Sequence, residues 1–294
     1  MRITNSMMAS TALLDESRAS QQVYQLTQES ASGDLITQPS DDPTGFGTLV
    51  SIDQQLTVMQ GRSTAASKAA NDLNTASSAL SSASNLLDQA QQLAIEGANG
   101  TLDAASRANT ATSVNGLVQQ MIEIANTQGS SGYLFGGTQT GTPPFDAAGN
   151  FTGNNGVTQV AVSDTMLVNS NVSGADAFTA AGGSNVIGDL QALATALSTN
   201  NVAAVQTSIT QMQNDQNQVT AVMVQAGAAS ASLTASGSVL ANAITATQVT
   251  RSNLDNAATP TVYSDLAAAQ NSYQAALSVT QQVLSLSSFT SSAI

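Results

Sequence analysis

Residues 66–97 read ASKAANDLNTASSALSSASNLLDQAQQLAIEG, and two ladders with a seven-residue step run through them. Ala66, Leu73, Leu80, Leu87 and Ala94 form one. Ala69, Ala76, Ala83, Ala90 and Gly97, offset by three, form the other. An apolar repeat averaging 3.5 residues per turn keeps one seam of a helix facing a partner and imposes a left-handed supercoil. Large residues on one ladder and Ala or Gly on the other let the partner helix approach closely. The outer face is Ser, Asn, Gln and Thr. The stretch is built for side-by-side helix packing, and the chain reads as structural before any reactive group is considered.

Composition points the same way. The chain has 294 residues, which at ~150 residues per domain suggests two domains. Aromatic residues are 3%, Trp is absent, and the 41% hydrophobic content leans on Ala. Long thin bundles fit this supply better than one large globular core. The net charge is −13 with a single Lys, Lys68, so no basic patch could neutralise a row of phosphates. The same charge argues against attraction to an anionic membrane. Absence of both Cys and His removes disulfides, thiolate and imidazole metal sites, and histidine-based nucleophilic machinery. No catalytic residue, cofactor site or metal site is expected. No apolar signal region follows Met1, and no run approaches ~18 consecutive apolar residues, so no membrane-spanning helix is expected.

Along the chain, residues 1–38 are polar and helix-compatible, with thin apolar positions and a break at Gly33. Pro39-Ser40-Asp41-Asp42-Pro43 reads as a helix start, with an acid accepting an orphan backbone N–H and Pro43 at the first helical position. That helix is expected over about 43–98. After a turn at Ala98–Thr101, with Thr101 as cap, a second helix carries Ala104, Ala108, Ala111, Val114, Val118, Met121 and Ala125 and should fold back antiparallel. Residues 129–185 turn to Gly, Asn, Pro and Thr, with β-like pieces at 151–152, 157–162 and 166–168. A short helix carries Leu190, Leu193 and Leu197. A long one follows with Val205, Met212, Val219 and Ala226 on one ladder and Ile209, Gln216 and Met223 on its partner. It is expected to slip near Gly227 and resume at Leu233, Leu240, Thr247 and Leu254. A break at 256–260 precedes a terminal segment with Leu266, Tyr273 and Thr280 set against Gln270, Leu277 and Leu284.

Each conspicuous motif has a plain structural reading. Gly132-Tyr133-Leu134-Phe135-Gly136-Gly137 has the glycines of a phosphate loop but lacks the flanking strand and capped helix. It reads better as aromatics pinning a bundle to the insertion, with glycines for tight turns. Asp41-Asp42 is explained by capping, with no third carboxylate near it in sequence. Three Asn-X-Ser/Thr triplets, at Asn99, Asn150 and Asn171, are expected by chance in such a chain. The terminal segments differ from the central ladders. Fixing a residue costs roughly 1–2 kcal/mol of backbone entropy, and burying an occasional Leu returns about 1.5–3 kcal/mol. Such segments should order against each other and against neighbouring subunits.

Taken together, Met1-Arg2-Ile3-Thr4, Pro39–Pro43, Asn99-Gly100-Thr101-Leu102, Gly132–Gly137 with Pro144-Phe145, and the Ser/Leu-rich end Leu284–Phe289 resemble the hook–filament junction members of the bacterial flagellin superfamily. One departure is at Ala257–Ser264, where an acidic stretch common in that family is largely replaced by Thr-Pro-Thr-Val-Tyr. The resulting expectation is a mainly α chain: an elongated antiparallel helical bundle or coiled-coil rod with a small β-rich insertion domain and terminal coiled-coil helices. The expected divisions are 1–40 with 260–294 as a terminal helical assembly domain, 41–142 with 186–259 as a helical rod domain, and 143–185 as a β-rich outer domain. The resemblance implies a non-enzymatic structural role, a ring of identical subunits, and contacts with the first hook-associated protein and with flagellin. It also implies a cytoplasmic export chaperone, and export to the flagellum without a cleaved signal. Residues expected at the assembly interface are Ile3, Met7, Leu14, Leu266, Tyr273, Leu277, Val283, Leu284, Leu286 and Phe289. Flagellin itself, and a secreted adhesin-like binding module, are the alternatives.

Overall fold

The computed structural model describes the backbone of residues 5–256 and 259–291 and the side chains of 7–256 and 261–285. The chain is mainly α-helical. In order its elements are α1 (Asn5–Ser32), α2 (Pro43–Gly97), α3 (Ala104–Ala125), β1 (Gln128–Gly129), β2 (Gly132–Tyr133), β3 (Gln159–Ala161), β4 (Leu167–Asn169), α4 (Gly174–Phe178), α5 (Val186–Ser198), α6 (Val202–Asp255) and α7 (Thr259–Ser291). The chain divides into two compact units, one within Met1–Thr57 and Thr245–Ile294 and the other Val58–Ile244.

The Val58–Ile244 unit is organised by the ladders of α2. Ala66, Leu73, Leu80, Leu87, Ala94, Ala69, Ala76, Ala83 and Ala90 are all buried, and Leu80 is 0% exposed. Helix α6 runs antiparallel beside them: Gln216 Nε2 donates to Asp88 Oδ1 at 2.6 Å, and Ser230 Oγ donates to Asn74 Oδ1 at 2.7 Å. Gly97 ends the small-residue ladder for a steric reason. A Cβ there would stand 2.2 Å from Leu197 Cδ2, so a larger residue at the close of α2 would have to displace that buried side chain. Helix α5 packs on α3, with Leu190, Leu193 and Leu197 fully buried.

The long helix departs from the expectation in two ways. Val205, Met212, Val219, Ala226, Leu233 and Leu240 make one unbroken seven-residue ladder, all buried, and α6 continues through an exposed Gly227 with no slip. The second ladder lies one residue earlier than expected. Ser208, Asp215 and Val222 are buried, while Ile209, Gln216 and Met223 are half-buried at its margin. The apolar character of Ile209 and Met223 hid the polar residues that occupy the seam.

On α3 the expected Ala104 and Ala108 are exposed, and Arg107 and Thr110 are buried instead. The cap is Asp103, whose Oδ1 accepts from Ser106 N at 2.6 Å; Thr101 bonds back to Asn99. Hydrogen bonds from Ser106 hold the Asp103 carboxyl below its ordinary pKa. Arg107 explains the displaced pattern. Its guanidinium donates to Gly97 O (2.7 Å), Asn99 O (2.7 Å) and Asn200 Oδ1 (2.5 Å). A buried cation is thereby set on the carbonyl end of α2, where the helix dipole favours it.

The segment between α3 and α5 holds two small antiparallel pairs, β1 with β2 and β3 with β4, the latter in register Val160 opposite Val168. The strand at 159–161 falls within the expected piece 157–162, the one at 167–169 overlaps the expected 166–168 and runs one residue past it, and Phe145 bridges Phe151. The short α4 and the first hairpin were not foreseen. Four of the six Phe residues of the chain lie here. Phe178 meets Phe135 (5.2 Å between centroids, edge-on) and Phe145 (5.7 Å, edge-on). The scarce aromatics thus build one small core, which is the role expected of the Gly132–Gly137 stretch. Gly137 has φ +70, and a Cβ on it would meet Asn154 O at 2.0 Å.

Candidate assembly surface

The terminal unit is built from α1 and α7, which pack antiparallel. Thr280 Oγ1 donates to Ala12 O at 3.3 Å near one end, and Leu35 N donates to Asp255 O at 2.7 Å beyond the other. The seam is heptad-spaced on both helices. On α1 it consists of half-buried Ala9, Ala12, Glu16, Ala19, Val23 and Leu26; on α7 it consists of Val262, Leu266, Ala269, Tyr273, Ala276, Thr280 and Val283. Leu266, Tyr273 and Thr280 are therefore a ladder as expected. The partner ladder is Val262, Ala269, Ala276 and Val283; Gln270 and Leu284, expected there, are exposed. Leu277 and Leu284 are apolar and spaced by seven at the wrong offset, whereas the true ladder is made of the smaller Val and Ala.

The ten interface candidates separate accordingly. Leu266, Tyr273, Leu277 and Val283 are half-buried on α7. Met7 and Leu14, one heptad apart on α1, are 59% and 58% exposed, and Leu284 is 44% exposed. Ile3, and the side chains of Leu286 and Phe289, lie outside the described residues. Leu13, Tyr24, Tyr263 and Val279 add further exposed apolar surface on the same two helices.

The connection into α2 is locked by carboxylates. Gly33, with φ +79, ends α1 by donating to Glu29 O at 2.9 Å, as a left-handed glycine cap does. Asp41 Oδ2 accepts from the backbone N–H groups of Thr37 (3.1 Å) and Gln38 (3.0 Å), and Oδ1 accepts from Gln38 Nε2 (3.1 Å). Burial pulls this carboxyl upward, but the bonds from Gln38 and Thr37 outweigh it and hold its pKa below the ordinary value. Asp42 is the helix cap, its Oδ1 accepting from Thr44 N at 3.0 Å, with Pro43 first in the helix. Of the two acids read as caps, one caps the helix and the other closes the preceding turn. Buried Asp255 accepts from Ile36 N at 3.0 Å and pairs with Arg251, which also binds Asp53 at 2.8 Å.

In the other unit, a groove of about 380 Å³ lies between α2 and the insertion, lined by Ala69, Leu73, Tyr133, Val160 and Val172 among others. At its edge the Asp72 carboxylate is saturated by Ser130 N (2.7 Å), Ser130 Oγ (2.8 Å) and Ser131 Oγ (2.8 Å). Asp72 thus tethers the first hairpin to α2. Among the described residues there is no group of three or more acids placed to hold a metal ion, and no helix is long and apolar enough to cross a membrane. The chemistry this geometry supports is packing of helical faces.

Residues 3–140 match the bacterial flagellin N-terminal helical region. Flagellar hook-associated protein 3 of Salmonella typhimurium is 30% identical over 171 residues, 57% of this chain and 54% of that protein. The Escherichia coli protein of the same name is 28% identical over 155 residues, 52% of this chain and 49% of that one. The chain thus spans about half the length of the curated relatives it matches. Among solved structures, a putative flagellar hook-associated protein from Vibrio parahaemolyticus has a TM-score of 0.66 at 21% identity, covering 74% of this chain and 100% of that one. FlgL from Xanthomonas campestris has a TM-score of 0.62 at 16% identity, covering 68% and 99%. At those identities the structures speak to fold. Residues 3–140 are thus similar to the flagellin N-terminal helical region, and the chain is similar in sequence to flagellar hook-associated protein 3 and in fold to the solved hook-associated protein and FlgL structures.

Proposed function

We propose that this chain is a structural subunit of the bacterial flagellum that joins the hook to the filament and carries no catalytic activity. The observation that carries the reading is the terminal pair: α1 and α7 share a heptad seam with each other yet leave Met7 and Leu14 in solvent. Exposed apolar residues in register on a helix are the natural surface for a neighbouring helix. The sequence similarity to hook-associated protein 3 supports the choice of assembly. On this reading the terminal segments 1–40 and 260–294 form the assembly domain, 41–142 with 186–259 the helical rod, and 143–185 the outer domain.

In this role the subunits form a ring through these helices, with the first hook-associated protein on one side and flagellin on the other. A cytoplasmic chaperone covers the α7 surface before export. The interface comprises Ile3, Met7, Leu14, Leu266, Tyr273, Leu277, Val283, Leu284, Leu286 and Phe289. A filament-subunit role is the second reading, favoured by the match of residues 3–140 to the flagellin N-terminal helical region. A deletion strain distinguishes the two. Loss of a junction protein releases flagellin monomers into the medium from cells that still build hooks. Loss of a filament subunit leaves the medium without released flagellin. Restoration of filaments by the full chain, but not by one lacking residues 1–40, is expected.

A further inference from the structure

We propose that Asp215 is a carboxylic acid in the folded protein and that Asp215, Ser184 and Asp189 form a proton-locked clasp holding the entry of α5 to α6, a clasp that loosens as pH rises. The argument starts from counting hydrogens. The Ser184 hydroxyl carries one, yet its oxygen lies within hydrogen-bonding distance of two carboxyl groups, Asp215 Oδ1 and Asp189 Oδ2, the latter at 3.2 Å. One O–H cannot serve two ionised acceptors. The second bond needs a proton from a carboxyl group.

Burial says which carboxyl holds it. Asp215 is 0% exposed, sits in the ladder of α6, and its Oδ2 has no hydrogen-bond partner. No cation pairs with it among the described residues. An ionised carboxylate in that setting bears the full desolvation cost, and the usual response is to take up a proton. Asp189, by contrast, lies in the first turn of α5, at the positive end of that helix. The relay is therefore Asp215 Oδ1–H to Ser184 Oγ, and Ser184 Oγ–H to Asp189 Oδ2. Burial first, and then the Asp189 charge, push the Asp215 carboxyl up to about 7. Asp88 on α2 is taken by Gln216 on an adjacent face of α6, and Asp176 sits in the first turn of α4. Asp189 is the charged neighbour that acts on the pair.

Gln218, one turn beyond Asp215, marks what the clasp controls. Its Oε1 accepts from Ser184 N (2.7 Å), and its Nε2 donates to the carbonyls of Ala177, Thr179 and Ser184. The whole approach from α4 to α5 is thus fastened to α6 at two adjacent points, one neutral at every pH and one that holds while Asp215 keeps its proton. The folded state binds this proton more tightly than the unfolded chain. Stability from the clasp is therefore complete below the ordinary aspartate range of about pH 4. It falls as pH rises to about 7 and then levels off.

The test uses the full chain. Infrared spectra at pH 5.5 should contain a protonated-carboxyl band that disappears by pH 8.5 and is missing from D215N. Thermal midpoints of the wild type should fall across that interval relative to those of D215N, because the amide can donate to Ser184 without titrating. Absence of the band from the wild-type spectrum at pH 5.5, which needs no variant to fold, overturns the proposal. So do parallel pH profiles of wild type and D215N. A wild-type midpoint that drops on addition of a chelator also overturns it, since a bound cation rather than a proton would then bridge the two carboxyls.

Discussion

The two seams of this molecule follow the same seven-residue grammar and reach different depths. In α2 the ladder from Ala66 to Ala94 is fully buried, with three Leu at its centre and a complementary ladder on α6. Between α1 and α7 the seam is mainly Ala and Val with Glu16, Thr280 and a few larger residues (Leu26, Leu266, Tyr273), mostly half-buried, while Met7, Leu14 and Tyr24 are exposed off it. Periodicity alone specifies that a helix will pair. The size of the residues on the ladder, and what lies off it, decide whether the pair is a finished core or one with an unfilled side. The first seam is a finished core; the second leaves large apolar residues exposed beside it.

Substitutions of one chemistry placed in both seams break or sharpen that contrast. The largest effect is expected at Leu80, where truncation to Ala should cost on the order of 2–5 kcal/mol. Equilibrium unfolding in denaturant would read it, and a loss under ~1 kcal/mol would mean that this seam is not the subunit's core. Next comes Gln218→Ala, which strips four hydrogen bonds from the approach to α5. The partly buried polar groups left behind should cost about 1–3 kcal/mol, with faster amide exchange over 177–185. In the terminal seam, Leu266→Ala removes a side chain that is only half-buried, so its cost should be about 1 kcal/mol or less. A loss matching that at Leu80 would erase the distinction between the seams.

Most of this was legible in the sequence, and the failures share a cause. The ladder of α2, the start of that helix at Pro43 and the return to helix at Val186 follow from spacing and capping chemistry. The offsets on α6 and α7 did not, because apolarity was used to find the buried face. Ile209 and Met223 are apolar and marginal, and Leu284 is apolar and exposed; Ser208 and Asp215 are polar and buried. A buried Asp on a seam becomes readable only once Ser184 and Asp189, from a distant stretch of chain, are placed beside it. Arg107 is similar: its burial is explained by carbonyls at the end of another helix. The insertion resisted for a different reason. Its core is three Phe residues spaced far apart, without a period to detect.

The central claim is that the outward face of the terminal helices serves assembly and not the fold of the subunit. The measurement that tests it most directly is the double substitution Met7→Ser with Leu14→Ser, assayed for thermal unfolding as purified protein and for swimming in a complemented deletion strain. Both side chains are largely in solvent, so subunit stability should change by no more than ~0.5 kcal/mol while filaments fail to form and swimming is lost. Normal swimming, or a large fall in the unfolding midpoint, would contradict the account.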